Sequence, residues 1–252
     1  MLLAAAQLEA RPGRLSEAVE AHVRFARAAA ELGAKLLVFP ELSLTGYSRA
    51  LTREHALRVT DSWLDPLAEV SWKLGITLVI GAPIAGTDRL MIASFCLRPD
   101  GRVLTYTKRH LHQGEEGAFE AGYGGALLGV SGTQVGLAIC AEINHASHVA
   151  DAVALGAAVY AASCFLTPAG YSADCRTLQG YAALHGVVVV MANYTGVCGG
   201  FESAGGSAIW DDTGGLAARA PAKGEYLLMA ARENHGWVGQ CVPLDDVAAG
   251  AA

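Results

Sequence analysis

Apolar positions fall into two patterns along the chain. Short continuous runs alternate with longer stretches in which apolar residues recur every three or four positions. The runs read as buried strands and the stretches as helices that pack by one face. Residues 2–8 (LLAAAQL) read as the first strand. Leu15, Ala18, Val19, Val23, Ala26, Ala29 and Ala30 then share one face of a helix over 15–32, with Gly33 as its C-cap. KLLVFPE is a short strand that Pro40 stops, 56–74 reads as a helix, and ITLVIGAPI (76–84) is another buried strand. MIASFCLRPDGRVLTYTKRH reads as a hairpin turning at Asp100-Gly101. VGLAIC (135–140) is a strand that runs into Cys140, followed by a helix over 146–155. A strand over 157–163, a helix over 173–185 and a β-branched strand over 187–194 come next. Residues 206–212 and 225–231 suggest a closing hairpin, and the tail after about 237 is expected to be an arm or a frayed end.

This alternation predicts an α/β fold with helices on the outside. No repeat, low-complexity linker or composition shift divides the chain, so residues 1–252 are expected to form a single domain. At 52% hydrophobic and 17% charged residues, the chain carries a rich interior and not the composition of a disordered segment. The net charge of -6, with no basic block, argues against a nucleic-acid partner. No apolar run reaches the ~18 residues of a membrane helix. The first residues lack a basic leader, so they read as a strand and not as a signal peptide. Six scattered cysteines without a C-x-x-C pair argue against a disulfide framework and fit a reduced, cytoplasmic setting. The glycines are spread over loops, as at Gly199-Gly200 and Gly214-Gly215, without a nucleotide-binding fingerprint.

Three segments place polar groups where a buried strand ends, which is where open α/β sheets hold their sites. In the first, Glu41 follows Phe39-Pro40 and precedes Thr45-Gly46-Tyr47. In the second, Lys108 ends the hairpin, with Glu115 and Glu116 shortly after it. In the third, Cys140 ends an apolar strand just before a helix, whose free N–H groups and dipole would lower a thiol pKa. The other five cysteines read as small buried hydrophobes. Singly, each polar residue is also compatible with a loop or core position. Jointly they supply what acyl transfer needs: a base for the thiol, a positive donor for a developing oxyanion, and a nucleophile.

These segments resemble the nitrilase, or carbon–nitrogen hydrolase, superfamily. The match rests on Phe-Pro-Glu-Leu with Thr-Gly-Tyr, on Tyr-x-Lys-x-His-Leu, and on Gly-x-x-Ile-Cys, in that order. It extends from the AAAQLEA strand to the GGSAIWDDTG segment. The resemblance implies a four-layer α-β-β-α sandwich, paired as a homodimer or larger homo-oligomer. It also implies that Glu41 takes the Cys140 proton, that Cys140 forms a thioester, and that Lys108 and the Ala141 backbone N–H hold the oxyanion. Glu115, seven residues past Lys108, matches the family's second glutamate, with Glu116 as the fallback. The implied substrate is a small amide, and no cofactor or metal is implied.

The departures lie beside the cysteine. Where the family has Tyr-Asp and an aromatic-Pro-Glu, this chain runs Ala141-Glu142-Ile143-Asn144-His145-Ala146-Ser147-His148, and Leu184-His185-Gly186 replaces a later Glu-Asn-Gln-like stretch. Tyr47, Glu142, Asn144 and His145 are therefore the candidates for pocket residues. The arginine pair that N-carbamoyl amino acid hydrolases carry after the cysteine is absent. An amidase comes first, with ureido hydrolysis and nitrile hydrolysis as alternatives sharing the same nucleophile. Two rivals lie outside these activities: a metal-binding module at Cys140, Glu142, His145 and His148, and a non-catalytic relative that keeps only the fold. An H-x-H pair, His110 and His112, lacks a clear third ligand.

Overall fold

The computed structural model describes residues 1–249. In chain order its elements are β1 (Leu3–Glu9), α1 (Leu15–Glu31), β2 (Leu36–Val38), α2 (Asp65–Leu74), β3 (Thr77–Ala85), β4 (Leu90–Leu97) and β5 (Val103–Thr107). β6 (Leu128–Val130), β7 (Thr133–Ile139), α3 (Ala146–Ala154), β8 (Val159–Ser163), α4 (Pro168–His185) and β9 (Val188–Ala192) follow. The short strands β10 (Tyr194–Thr195), β11 (Val197–Cys198) and β12 (Phe201–Glu202) lead to β13 (Ala208–Trp210), β14 (Leu216–Arg219), β15 (Tyr226–Glu233), β16 (Gly236–Pro243) and α5 (Leu244–Ala249).

Two sheets carry the fold. One runs β16-β15-β1-β2-β3-β4-β5, with β10 pairing beside β1, and the other runs β14-β13-β9-β8-β7-β6. In β1, Leu3 and Ala5 join the apolar cluster that contains Leu137 and Ile139 of β7. The alternate residues Ala4, Ala6 and Leu8 join Phe25 and Ala26 of α1 and Leu67 of α2. Side chains alternate across a strand, so β1 faces the second sheet on one side and helices on the other. Burial on both faces is why its sequence is a continuous apolar run. α3 and α4 cover the second sheet, completing the α-β-β-α sandwich. Among the described residues, no helix is long and apolar enough to cross a membrane.

Four expected elements differ. The helix expected over 56–74 begins only at Asp65, with Pro66 in its first turn. Proline fits there because the N–H it lacks would be unpaired anyway, but in a helix interior it would clash with the preceding turn. Upstream, the Asp61 carboxylate accepts from Arg58 N (2.8 Å) and Trp63 Nε1 (3.0 Å), building a local turn instead. α4 starts at Pro168, five residues before the expected 173, again with proline in the first turn. The segments 206–212 and 225–231 are not a hairpin. β13 pairs with β9 and β14, while β15 pairs with β1 and β16 in the opposite sheet. The tail read as an arm holds β16, laddered along the whole of β15. Its last residues, 250–252, lie outside the described residues.

The site is placed by parallel pairing. β1, β2 and β3 run parallel in one sheet, and β7, β8 and β9 in the other. The chain leaving β2 reaches Glu41, that leaving β7 reaches Cys140, and that leaving β8 reaches Phe165. Lys108 follows the antiparallel β5. One end of the sandwich therefore collects polar groups from both sheets.

Candidate active site

The Glu41 loop is seated by its neighbours. Leu42 turns the chain with φ 50°, a left-handed conformation uncommon for a residue with a Cβ. The turn lies directly on Gly81 of β3, where a Cβ would stand 2.3 Å from Leu42 N and 2.5 Å from Pro40 O. Only glycine permits that approach. Ser43 Oγ accepts from Gly81 N (3.0 Å) and pairs with His22 Nε2 (2.9 Å), while His22 Nδ1 pairs with the Ala18 carbonyl (2.7 Å). His22 is fully buried, and burial lowers its pKa to about 4. Nδ1 faces a carbonyl, so it carries the proton of a neutral ring, and Nε2 accepts from Ser43. Tyr194 Oη donates to the Glu41 carbonyl (2.7 Å), fixing the backbone from the second sheet.

Lys108 lies between two carboxylates. Its Nζ donates to Glu41 Oε1 (2.7 Å) and to both oxygens of Glu115 (3.0 and 2.8 Å). Glu41, Lys108 and Glu115 are each at most 1% exposed. Glu115 also accepts from Tyr47 Oη (3.0 Å) and His112 N (2.8 Å). Glu41 Oε2, by contrast, is buried without a hydrogen-bond partner. Burial raises the Glu41 pKa to about 7; Lys108 pulls it down and Glu115 pushes it up. Burial alone would lower the Lys108 pKa, but Glu41, Cys140 and Glu115 together hold it above the ordinary lysine value. Such a cluster costs desolvation energy unless its charges are paired, and here the single lysine is shared by two carboxylates.

Cys140 sits at the first position of a short 3₁₀ turn over Cys140–Asn144, with φ 45°. A left-handed non-glycine residue at the end of a strand projects its side chain from a sharp bend. Its Sγ lies 3.6 Å from the Phe165 carbonyl. The expected acidification by a following helix does not hold. α3 starts only at Ala146, and burial, reinforced by the Glu41 carboxylate, pushes the thiol pKa up despite Lys108. The resting group is a thiol that needs a base. Ala141 occupies the second position of the turn, where N–H groups have no partner within it.

A cavity of about 430 Å³ brings these groups together. Its lining combines Glu41, Glu115, Cys140 and Ala141 with apolar walls from Tyr47, Ile143, Phe165, Leu166 and Phe201 and with the polar Arg49, His112, Asn144 and Asp174. Two of the four pocket candidates from the sequence, Tyr47 and Asn144, line it. Glu142 and His145 do not. Glu142 is fully buried and accepts from Arg109 N, Ile139 N and Tyr106 Oη, and His145 stacks on His110 with ring centroids 3.9 Å apart. The fallback Glu116 is exposed and bonds Gly114 N, away from Lys108.

The metal-module alternative fails on the same bonds. Glu142 and His148 are turned into a buried hydrogen-bonded network with Tyr106 and Tyr160. Among the described residues, no three His, Cys, Asp or Glu side chains form a group able to hold a metal ion. The six cysteines are free thiols.

Other contributors were not legible in the sequence. Phe165, Leu166, Asp174 and Phe201 reach the cavity from segments with no motif of their own. Asn193 pins the loop after β8, accepting from Leu166 N (2.9 Å) and donating to the carbonyls of Leu166 (3.3 Å) and Gly205 (2.8 Å). An asparagine directly after the apolar run VVVVMA was a usable signal for such a role.

Comparison with known proteins identifies the family and the fold. The family model described as carbon-nitrogen hydrolase matches residues 2–236. Solved structures of the amidase from Nesterenkonia sp. AN1, of the nitrilase superfamily, superpose closely. One variant, with acrylamide added at its active-site cysteine, is 26% identical, covers 91% of this chain and 92% of its own, and gives a TM-score of 0.82. Another, in complex with butyramide, is 25% identical over 99% of this chain and 93% of its own, with a TM-score of 0.82. A glutamine-dependent NAD(+) synthetase of Thermotoga maritima is 30% identical over 155 residues, 59% of this chain. The match spans only 26% of that synthetase's length.

Proposed function

The chain belongs to the carbon–nitrogen hydrolase family, and from that premise we propose that it is an amidase that hydrolyses a small amide through a thioester on Cys140. Glu41 is the base. Its carboxylate takes the thiol proton, and the sulfur attacks the amide carbon. The oxyanion that forms is held by Lys108 Nζ and the Ala141 N–H, donors fixed before the reaction begins. Glu41 then passes its proton to the departing nitrogen, the C–N bond breaks, and ammonia or an amine leaves. Water enters, Glu41 removes one of its protons, and the hydroxyl adds to the thioester. The second oxyanion collapses, the C–S bond breaks, the thiol is reprotonated from Glu41, and the acid departs. Glu115 touches no reacting atom in this scheme; it holds Lys108 in place.

One observation carries this reading. Lys108 is pinned between Glu41 and Glu115, two carboxylates that line the same cavity as Cys140, while the second Glu41 oxygen is left without a partner. A pKa near 7 suits a group that must accept and return the same proton at neutral pH. The apolar walls and modest volume of the cavity favour a small acyl group. The binding of butyramide and acrylamide by the Nesterenkonia amidase supports amides over nitriles and ureido compounds. A homodimer formed through the outer helices is supported by Leu155 and Leu184, 73% and 76% exposed on that layer.

The test is an ammonia-release assay over short aliphatic amides, with the matching nitriles and ureido compounds alongside. Turnover of amides by the wild type, abolished in Cys140→Ala, is the expected result. Turnover of nitriles or ureido compounds in preference to amides would overturn the amidase reading.

A further inference from the structure

The departure after the cysteine leaves a buried carboxylate that the catalytic scheme does not use. Glu142 is fully buried, outside the cavity wall, and both its oxygens are engaged. Oε1 accepts from the backbone N–H of Arg109 at 2.7 Å, and Oε2 accepts from the backbone N–H of Ile139 at 2.8 Å. Arg109 directly follows Lys108, and Ile139 directly precedes Cys140. Lys108 follows β5 of the first sheet and Cys140 follows β7 of the second, and no ladder joins those two strands. One carboxylate therefore bridges the two sheets at the residues that set where the lysine and the thiol emerge.

The rest of the network lies around the bridge without forming either arm. Tyr106 Oη donates to Glu142 Oε2 (2.8 Å). That spends its only proton, so His148 Nε2, 2.7 Å away, must donate to the tyrosine oxygen. In a neutral ring, His148 Nδ1 then accepts from Tyr160 Oη at 2.8 Å. Every partner of the carboxylate is a donor, which only an ionised carboxylate satisfies throughout. A carboxamide of the same shape cannot. Whichever way it lies, its NH₂ faces one of the two backbone N–H groups.

We infer that Glu142 is a positioning residue that fixes Lys108 and Cys140 in register across the two sheets by spanning the Arg109 and Ile139 N–H groups. The inference rests on the proposed roles of Lys108 and Cys140, and it concerns the span of the carboxylate, not merely its charge. A misplacement on the order of 1 Å between reacting groups costs about 10²-fold in rate. Glu142→Gln breaks one arm of the bridge. Glu142→Asp keeps the charge but is one methylene too short to hold both arms. Tyr106→Phe leaves both arms in place.

The experiment measures kcat and KM on an amide the wild type turns over, together with the pseudo-first-order rate at which iodoacetamide alkylates Cys140, read by mass on the Cys140 peptide. Leu67→Ala, in the outer helix α2, serves as a control for lost stability alone. Glu142→Gln and Glu142→Asp are expected to lose about 10²-fold in kcat with KM within about threefold, and to alkylate about tenfold more slowly. Tyr106→Phe and Leu67→Ala are expected to stay within about threefold of the wild type in all three measures. Recovery of kcat in Glu142→Asp would overturn the inference in favour of a charge effect. Equal losses in Leu67→Ala would overturn it in favour of stability, and unchanged kcat and alkylation in both Glu142 variants would overturn it outright. If one Glu142 variant does not fold, the other carries the comparison. If the wild type turns over no amide, the amidase reading fails, while the alkylation rates still decide the role of Glu142.

Discussion

Lys108 Nζ lies 2.7 Å from one oxygen of Glu41, and the other Glu41 oxygen is buried without a partner. The same carboxylate is thus held by a cation on one side and unpaired on the other. Burial raises its pKa to about 7, and the base is active only when ionised. kcat/KM is therefore expected to rise with pH through an apparent pKa near 7 and then to level off. Lys108, held above the ordinary lysine value, imposes no fall at moderately alkaline pH. A pH–rate profile from pH 5 to 9 checks this, and a flat profile would count against Glu41 as the base.

Glu115 gives two hydrogen-bond acceptors to Lys108 and takes one donor each from Tyr47 and His112. Glu115→Gln keeps the shape but removes the charge that balances the lysine. The expected result is a fall in kcat on the order of 10²-fold with KM little changed, because the lysine meets developing charge only in the transition state. Tyr47→Phe removes a single donor and is expected to lower kcat by less than about tenfold. Steady-state kinetics on both variants would reveal the reverse order if Tyr47 mattered more.

Gly81→Ala tests how the glutamate is seated. A Cβ there would meet Leu42 N at 2.3 Å, and those backbone atoms cannot yield without moving Glu41. Overpacking of this kind costs about 1–3 kcal/mol. A lower melting temperature together with a disproportionate loss of kcat is expected. A variant that melts lower but keeps full kcat would show that the loop relaxes without displacing the carboxylate.

His22 links the same loop to pH-dependent stability. Its pKa falls from 6.5 in the unfolded chain to about 4 in the fold. Above the unfolded value the two states bind protons alike. As pH drops from 6.5 toward 4, the unfolded chain gains a proton that the folded ring refuses, so stability is lost over that window, by at most ~3 kcal/mol. The difference in unfolding free energy between wild type and His22→Gln, followed across that range, should carry this slope. A difference independent of pH would contradict it.

What the sequence made legible follows from where the information resides. Glu41 and Cys140 each follow a strand whose apolar run marks it plainly, and Lys108 ends a hairpin marked by its Asp100-Gly101 turn, so each strand and its polar end can be read locally. β13 and β15 are equally plain as strands, but nothing local states that they belong to opposite sheets. Glu142 departs from the family pattern and reads as a pocket residue, because its actual partners are backbone N–H groups that leave no mark in the sequence. Gly81 lay unremarked within the run ITLVIGAPI, since the atoms that forbid a Cβ there come from a loop some forty residues earlier. Pro66 and Pro168 were local signals that could have set the two helix starts.

The most direct test is the mass of the enzyme during turnover. Wild-type protein mixed with a short amide, quenched in acid within the first turnovers and measured intact, should carry the acyl group as added mass, and peptide mapping should place it on Cys140. The adduct should decay on the timescale of steady-state turnover, and Cys140→Ala should show neither adduct nor product. Undiminished hydrolysis by Cys140→Ala, or an acyl group mapped to another residue, would contradict the account.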